Sequence, residues 1–452
     1  MFLNGFFFFV LFPVSLLLYY LLPKQFHSTI LIGTGVMLLA FCEMERCLVF
    51  LLYVLLTDIC GKVMMRLRKK SWSARLLLCL HDMAYLVGLL FLRPPVEYHA
   101  FGISLYPIGI SILSLRAISY LHHVFRQRQL YEQNGKQFAL YACFYPTLSI
   151  GGVTSFSKFH YLQQHRVFSA TQVSTGLRKW ICGLAKYALV GGQFSLMLQQ
   201  MEANNAIQPT VFFTWLYYAL HFLYFILIVT SYTDMAEGIA ACYGYRLPRS
   251  SRKPIWNRRL SVFLRNWNRT IHSWFLSFFQ VFPHRRRNAV PARLLLAWAV
   301  CGWFYRGRLT SLLWGLCIGI ALLLSECCHR KWHYIPRALE WCCVIGFWIL
   351  GWSLFCSDTI ADALTAWKAL FGSSGVLVTY ENVAFLGTHI WLLLLAFFCT
   401  TGLLRKGLHV LSSHRKTAWL VTIGTPLVDA GLLLCCVVAI NNSSIPNLLL
   451  QW

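Results

Sequence analysis

Several polar side chains stand where they could do chemistry in an otherwise apolar chain. Glu43 and Arg46 lie three apart within the apolar run 28–56, which places them on one helix face within reach of an ion pair. An ion pair inside a membrane segment is a functional candidate by default; a structural pairing explains the same spacing. Cys327, Cys328, His329 and His333 gather metal-ligating residue types, but their spacing matches no zinc pattern. The cluster reads as a helix end with interfacial basic residues, and no metal is expected. His221, in YALHFLYF, and His272, in NWNRTIHSW, are imidazoles in apolar surroundings. Imidazole changes charge near neutral pH without outside help, so each is either a proton acceptor or a buried group satisfied by hydrogen bonds. Asn268 lies four residues before His272, and on a continuous helix the two point the same way.

The elements that carry these residues follow from the patterning. The longest polar stretch, 246–293, holds Arg249, Arg252, Lys253, Arg258, Arg259, Arg265, Arg269 and the run 285–287. Within it Leu260, Phe263, Leu264, Trp267, Ile271, Trp274, Phe275 and Phe278 recur every three or four residues. That spacing predicts an amphipathic helix lying in the membrane interface with Arg on its other face.

The composition excludes an ordinary soluble domain. Of 452 residues, 58% are apolar, 16% aromatic and 12% charged, against about a quarter charged in globular proteins. In lipid the backbone must satisfy its own hydrogen bonds, which leaves helices or a closed barrel. The apolar runs are long and unbroken rather than short and alternating, so an all-α bundle is expected. Runs of spanning length lie near 5–22, 28–56, 75–92, 100–121, 137–154, 178–196, 210–232, 292–303 with 309–325, 338–356, 384–403 and 418–440, about eleven transmembrane spans. The N-terminal run lacks a basic n-region and a small-residue cleavage site, and reads as a retained first helix rather than a signal peptide. No internal repeat or low-complexity linker divides the chain, and residues 1–452 are expected to form a single membrane-embedded domain.

The 40 Lys and Arg against 15 Asp and Glu fit basic cytoplasmic loops, RLRKKSWSAR at 66–75 among them. Such loops attract anionic lipid and anionic donors such as coenzyme A thioesters. The basic residues are scattered between apolar spans, which argues against nucleic acid as a partner. The 17 cysteines lie mostly inside apolar runs, Cys182, Cys317, Cys435 and Cys436 for example, where they behave as small apolar residues.

Several segments together carry a resemblance. YTDMAEGIAACYGYRLP at 232–248, FLRNWN at 263–268, GWFYRGRLTSLLWGLCIG at 302–319, PIGISILSLRAISYLHHVFR at 107–126, FYPTLSIGGV at 144–153, GLAKYALVGG at 183–192 and WSLFCSDTIADALTAWKALFG at 352–372 resemble, in this order, the membrane-bound O-acyltransferase (MBOAT) family. The likeness is to its bacterial branch of alginate-type O-acetyl transfer and teichoic-acid D-alanyl transfer. It implies helices ringing a thinned centre with a tunnel through it, a multi-pass protein of the bacterial inner membrane. It also implies an acyl thioester co-substrate (acetyl-CoA or an acyl-carrier protein) with no bound cofactor, and an extracytoplasmic acyl-transfer partner protein. In the family a His in a buried Trp-His-Gly segment is the presumed base for the acceptor hydroxyl.

Alignment through Leu312, Leu313, Trp314 and Gly315 puts that His on Tyr305; sliding by one to match Gly307 puts it on Arg306. Neither phenol nor guanidinium is an ordinary base near neutral pH, although the charges of Arg306 and Arg308 could lower a neighbouring phenol. Other positions depart too. Ile228 stands for an Asp, Asn268 for a second His, Cys356 for an Arg, and His284 with Arg285 for a glycine pair. The catalytic candidates implied are Asn268, orienting the reacting carbonyl or hydroxyl, with Tyr305 or His272 as proton acceptor. Arg265 and Arg269, with Trp267, Tyr232 and Asp234, are the donor-binding candidates.

Two functions follow. One is transfer of a short, acetyl-like group from a cytoplasmic donor to a hydroxyl of an envelope polysaccharide or glycan. The other is a catalytically degenerate relative that binds or scaffolds. A transporter would show paired repeats with broken helices, and no such symmetry is seen.

Overall fold

In the computed structural model the described residues are 10–42, 44–67, 71–91, 99–100, 103–104, 110–126, 135–148, 153–207, 210–251, 260–280, 290–331, 337–372, 375–401 and 418–442. They cluster into two compact units, Met1–Trp180 with Ala236–Pro248 and Ile181–Met235 with Arg249–Trp452. Apart from one short strand pair, His99–Ala100 against Ile103–Ser104, the regular structure among the described residues is helical.

In order the helices are α1 (Phe12–Leu21), α2 (His27–Cys42), α3 (Met44–Arg66), α4 (Trp72–Phe91), α5 (Ile110–Arg126), α6 (Gly135–Cys143), α7 (Phe156–Gln164), α8 (Ala170–Ala185), α9 (Gly192–Ile207), α10 (Val211–Cys242), α11 (Leu260–Asn266), α12 (Arg269–Gln280), α13 (Val290–Arg306), α14 (Leu309–Lys331), α15 (Arg337–Cys356), α16 (Ile360–Leu370), α17 (Tyr380–Thr401) and α18 (Ala418–Asn442). A π-helical turn, Lys186–Gly191, joins α8 to α9.

Among the described residues, five helical stretches are long and apolar enough to cross a membrane: Cys47–Arg66, Ala170–Ala203, Val211–Cys242, Tyr380–Thr401 and Ile423–Ile440. Phe12–Leu21, Leu309–Leu324 and Cys342–Cys356 are shorter apolar helices. The chain is a multi-pass helical membrane protein. Several apolar runs resolve into more than one element. The run 28–56 is too long for a single crossing at about 1.5 Å per residue. It is divided between α2 and α3, which pack together with Cys47 Sγ donating to the Val36 carbonyl (3.7 Å). The described residues of the run 137–154 hold α6 and a buried 3-10 turn at Tyr145–Thr147 around Pro146.

In the first unit, Arg116 on α5 is 2% exposed. It donates to the carbonyls of Tyr141 (2.9 Å), Ala142 (2.7 Å) and Thr147 (2.7 Å) and to the Thr147 hydroxyl. A charge this deep persists only when its donors are satisfied, and here they hold the non-helical turn after α6.

In the second unit, α13 and α14 form a tight hairpin. A Cβ at Gly302 would lie 2.2 Å from the Ser311 carbonyl oxygen, and one at Gly315 would lie 2.1 Å from that of Trp298. Small residues allow this backbone approach, as in membrane helix pairs generally. Gly307, at φ +69°, makes the turn. The hairpin fixes Tyr305, two residues before that turn, against its neighbours.

Candidate functional site

The apolar spacing of 260–278 is met by burial of Phe263, Leu264, Trp267, Ile271, Trp274, Phe275 and Phe278. The single helix expected there is instead two, α11 and α12. Asn268 between them takes φ +42°, the one positive φ among described non-glycine residues, and Asn is among the few side chains that tolerate the left-handed region. The Arg269 amide donates to the Ser250 carbonyl (2.7 Å), which anchors the break. Asn268 and His272 are therefore not successive turns of one helix, yet their side chains still converge.

They converge on Tyr305. Asn268 Nδ2 donates to the Tyr305 hydroxyl at 2.6 Å, and that hydroxyl lies 3.4 Å from His272 Nε2. His272 Nδ1 lies 3.3 Å from the Leu264 carbonyl. A carbonyl can only accept, so Nδ1 carries the proton and Nε2 is the acceptor in the neutral ring. The directions are thereby fixed: Asn268 donates to Tyr305, Tyr305 to His272, and His272 to Leu264. Asn268, His272 and Tyr305 are all buried. Asn268 Oδ1 and Trp267 Nε1 are buried with no hydrogen-bond partner among the described residues.

Aromatic rings wall the group. Tyr305 stacks on Trp267 at 6.3 Å and meets Phe225, Trp314 and Phe355 at 6.0, 6.3 and 6.4 Å. The His272 ring packs on Trp298 at 4.7 Å. A shallow apolar depression lined by His272, Phe275, Leu276, Ala297, Trp298 and Cys301 adjoins it.

The remaining expected residues fall elsewhere. Tyr232 and Asp234 lie two turns along α10 from Phe225, in a separate group. Asp234 pairs with Lys186, and the Tyr232 ring meets Tyr187 edge-on at 5.1 Å. Arg306 donates to the Phe355 carbonyl and pairs with Asp358 at 3.2 Å; Arg308 pairs with the same carboxylate. Arg269 is half-buried at the start of α12, next to Asn268. The side chains of Arg265, Glu43, Arg46, Cys327, Cys328 and His329, and residues His284, Arg285 and His333, lie outside the described residues. Ile228 is buried on α10, its Cδ1 2.9 Å from where a Cβ of Gly191 would stand.

The directional chain through Tyr305 could not be read from sequence, because its members are 33 and 37 positions apart. A second group joins two residues that the sequence presents separately. His221 Nδ1 accepts from Trp352 Nε1 at 3.1 Å and lies 3.5 Å from Cys356 Sγ. The sequence signal for it was an imidazole on α10 and a thiol where the family pattern has Arg.

No family model matches the chain. Among curated proteins it is 22% identical over 273 residues to a probable alginate O-acetylase AlgI of Pseudomonas aeruginosa, covering 59% of this chain and 52% of that protein. It is 20% identical over 376 residues to one of Pseudomonas fluorescens, covering 82% and 75%. It is 23% identical over 305 residues to a peptidoglycan O-acetyltransferase of Helicobacter pylori, covering 60% and 58%. The chain spans about half the length, 52%, of the Pseudomonas aeruginosa relative. The resemblance carried by the quoted segments thus extends to curated bacterial relatives, and the chain is similar to O-acetyltransferases of the MBOAT type.

Proposed function

We propose that this protein transfers a short acyl group, acetyl above all, from a cytoplasmic thioester to a hydroxyl of an envelope polysaccharide or glycan, working in the inner membrane. The observation that carries the reading is the buried directional chain from Asn268 through Tyr305 to His272, with Asn268 Oδ1 left open. A phenol is a poor base by itself, but here it need only pass a proton on. The acceptor hydroxyl donates to Tyr305 as its oxygen attacks the thioester carbonyl, while Tyr305 gives its own proton to His272 Nε2. The imidazolium so formed is held by the bond from Nδ1 to the Leu264 carbonyl. His272 thereby supplies the neutral-range base that the family pattern carries at the position of Tyr305. Asn268 Oδ1 is a buried acceptor for orienting the incoming hydroxyl, and Trp267 Nε1 a buried donor for the developing oxyanion.

Acetyl-CoA or an acyl-carrier protein is the donor in this reading, steered by the basic face of 246–293. An extracytoplasmic partner carries the acyl group onward. The names of the similar proteins, alginate O-acetylase and peptidoglycan O-acetyltransferase, support the acceptor class.

A second reading, a binding or scaffold protein without turnover, draws on Ile228, a buried aliphatic where the family pattern has Asp. The test is the base-labile ester content of envelope polysaccharide in a deletion strain complemented with wild type, Tyr305→Phe or His272→Gln. Wild type is expected to restore esters and both variants to fail. Full restoration by both variants removes the relay, and no loss of ester on deletion favours the scaffold.

A further inference from the structure

Outside the Tyr305 relay, the second unit holds a thiol and an imidazole in contact deep among apolar helices. Cys356 ends α15 and His221 lies on α10. Trp352, one turn before Cys356, donates its indole N–H to His221 Nδ1 at 3.1 Å. An indole nitrogen can only donate, so Nδ1 is unprotonated in the neutral ring, and this same nitrogen lies 3.5 Å from Cys356 Sγ. The ring is thus held with Nδ1 unprotonated, and that nitrogen takes the thiol proton by exchanging the indole hydrogen bond for it. Both residues keep intermediate exposure, whereas Trp352 and Phe355 beside them have none.

We propose that Cys356 is an acyl-accepting nucleophile, with His221 as its proton acceptor and Trp352 as a positioning residue. The inference rests on the acyltransferase reading given above. In the first step Cys356 Sγ attacks the donor's thioester carbonyl. The Sγ–C bond forms, the donor's S–C bond breaks, and the thiol proton passes through His221 Nδ1 to the leaving thiolate. One thioester replaces another, so the exchange is nearly balanced in energy. In the second step the acceptor hydroxyl attacks the acyl-Cys356 carbonyl. Its proton passes through Tyr305 to His272 and on to solvent, and the released Cys356 thiolate takes one proton back from solvent.

The arrangement suits both steps. The thiolate, not the thiol, is the nucleophile, so a base in contact with the thiol during attack suits the first step. The Arg306 guanidinium donates to the carbonyl of Phe355, the residue before Cys356, and brings positive charge to that end of the helix. Tyr305 is the chain neighbour of Arg306, and its ring packs on Phe355 at 6.4 Å. An acyl group on Cys356 would therefore sit beside the group that activates the acceptor.

The experiment uses the full chain purified in nanodiscs with radiolabelled acetyl-CoA as donor and no acceptor. Wild type is expected to gain label that neutral hydroxylamine removes and that peptide mapping places at Cys356. Cys356→Ala should abolish the label, and His221→Phe should slow its appearance about 10²-fold or more. Tyr305→Phe should label at the wild-type rate and fail only when acceptor glycan is added. Cys79→Ala, an exposed thiol on α4, controls for general thiol loss, and matched thermal midpoints exclude misfolding. Label elsewhere, or Cys356→Ala that acetylates acceptor at the wild-type rate, overturns the inference while leaving the acyltransferase reading in place. No label and no acetyl transfer by wild type overturns both.

Discussion

Two buried polar groups in this protein are built from similar parts and end differently. Around Arg116, hydrogen bonds run to three carbonyls and one hydroxyl, all from the stretch 141–147. Around Tyr305, a chain of donors runs in one direction and leaves Asn268 Oδ1 without a partner among the described residues. A saturated network has nothing left with which to bind and serves the fold. An open buried acceptor costs stability and is tolerated where something arrives to fill it. The first group locks a non-helical turn; the second is the site in the function proposed above.

Substitutions can break or sharpen that contrast. The largest effect is expected from Tyr305→Phe, which keeps the ring packing and removes the relay: acetyl transfer should fall by about 10²–10⁴-fold. Near wild-type transfer in a direct assay would show that the open group is not the site. Arg116→Leu should act on folding, because it strands buried carbonyls of Tyr141, Ala142 and Thr147. A loss of about 3 kcal/mol or more is expected, read as a lower thermal midpoint in detergent. An unchanged midpoint would dissolve the distinction from the other side.

A finer comparison lies at Asn268. Asn268→Gly and Asn268→Ala both delete the amide, so both should lose activity alike. The glycine variant should be the more stable by about 1 kcal/mol, because alanine at φ +42° is strained. Equal midpoints would mean the backbone there is not left-handed. The smallest effect is expected from Asp358→Asn. This carboxylate is 60% exposed although it pairs with Arg306 and Arg308, and its loss should cost under about 1 kcal/mol. A larger cost, measured by the same melts, would mean that the pair helps position Tyr305.

The parts of this architecture that depend on local pattern were legible in the sequence. The three- and four-residue spacing of Phe263, Trp267, Ile271, Trp274 and Phe278 named a buried face, and those residues are buried. The break at Asn268 was not legible, because the sign of φ leaves no mark on an apolar periodicity. The split of 28–56 into α2 and α3 could be suspected from length but not placed. Arg306 and Arg308 suggested charges for tuning Tyr305; their partner Asp358 is set by how α15 and α16 return to the hairpin. The pairing of Cys356 with His221 depends on contacts 135 positions apart, beyond any local signal. The family resemblance aligned Tyr305 with a histidine, yet the relay that lets a phenol stand there is tertiary.

Arg116 has a consequence for how the protein is made. Its hydrogen-bond partners lie 25 to 31 residues later in the chain. A buried guanidinium whose donors are unmet is costly. Until Tyr141 to Thr147 have been synthesised, α5 has nothing in that stretch to settle its charge. The interior around α5 can close over Arg116 only once that turn is there to accept its hydrogen bonds. The packing of α5 thus depends on sequence made after it, and stalling translation between Arg116 and Tyr141 should leave a cysteine introduced on α5 more accessible to aqueous labelling than in the finished chain.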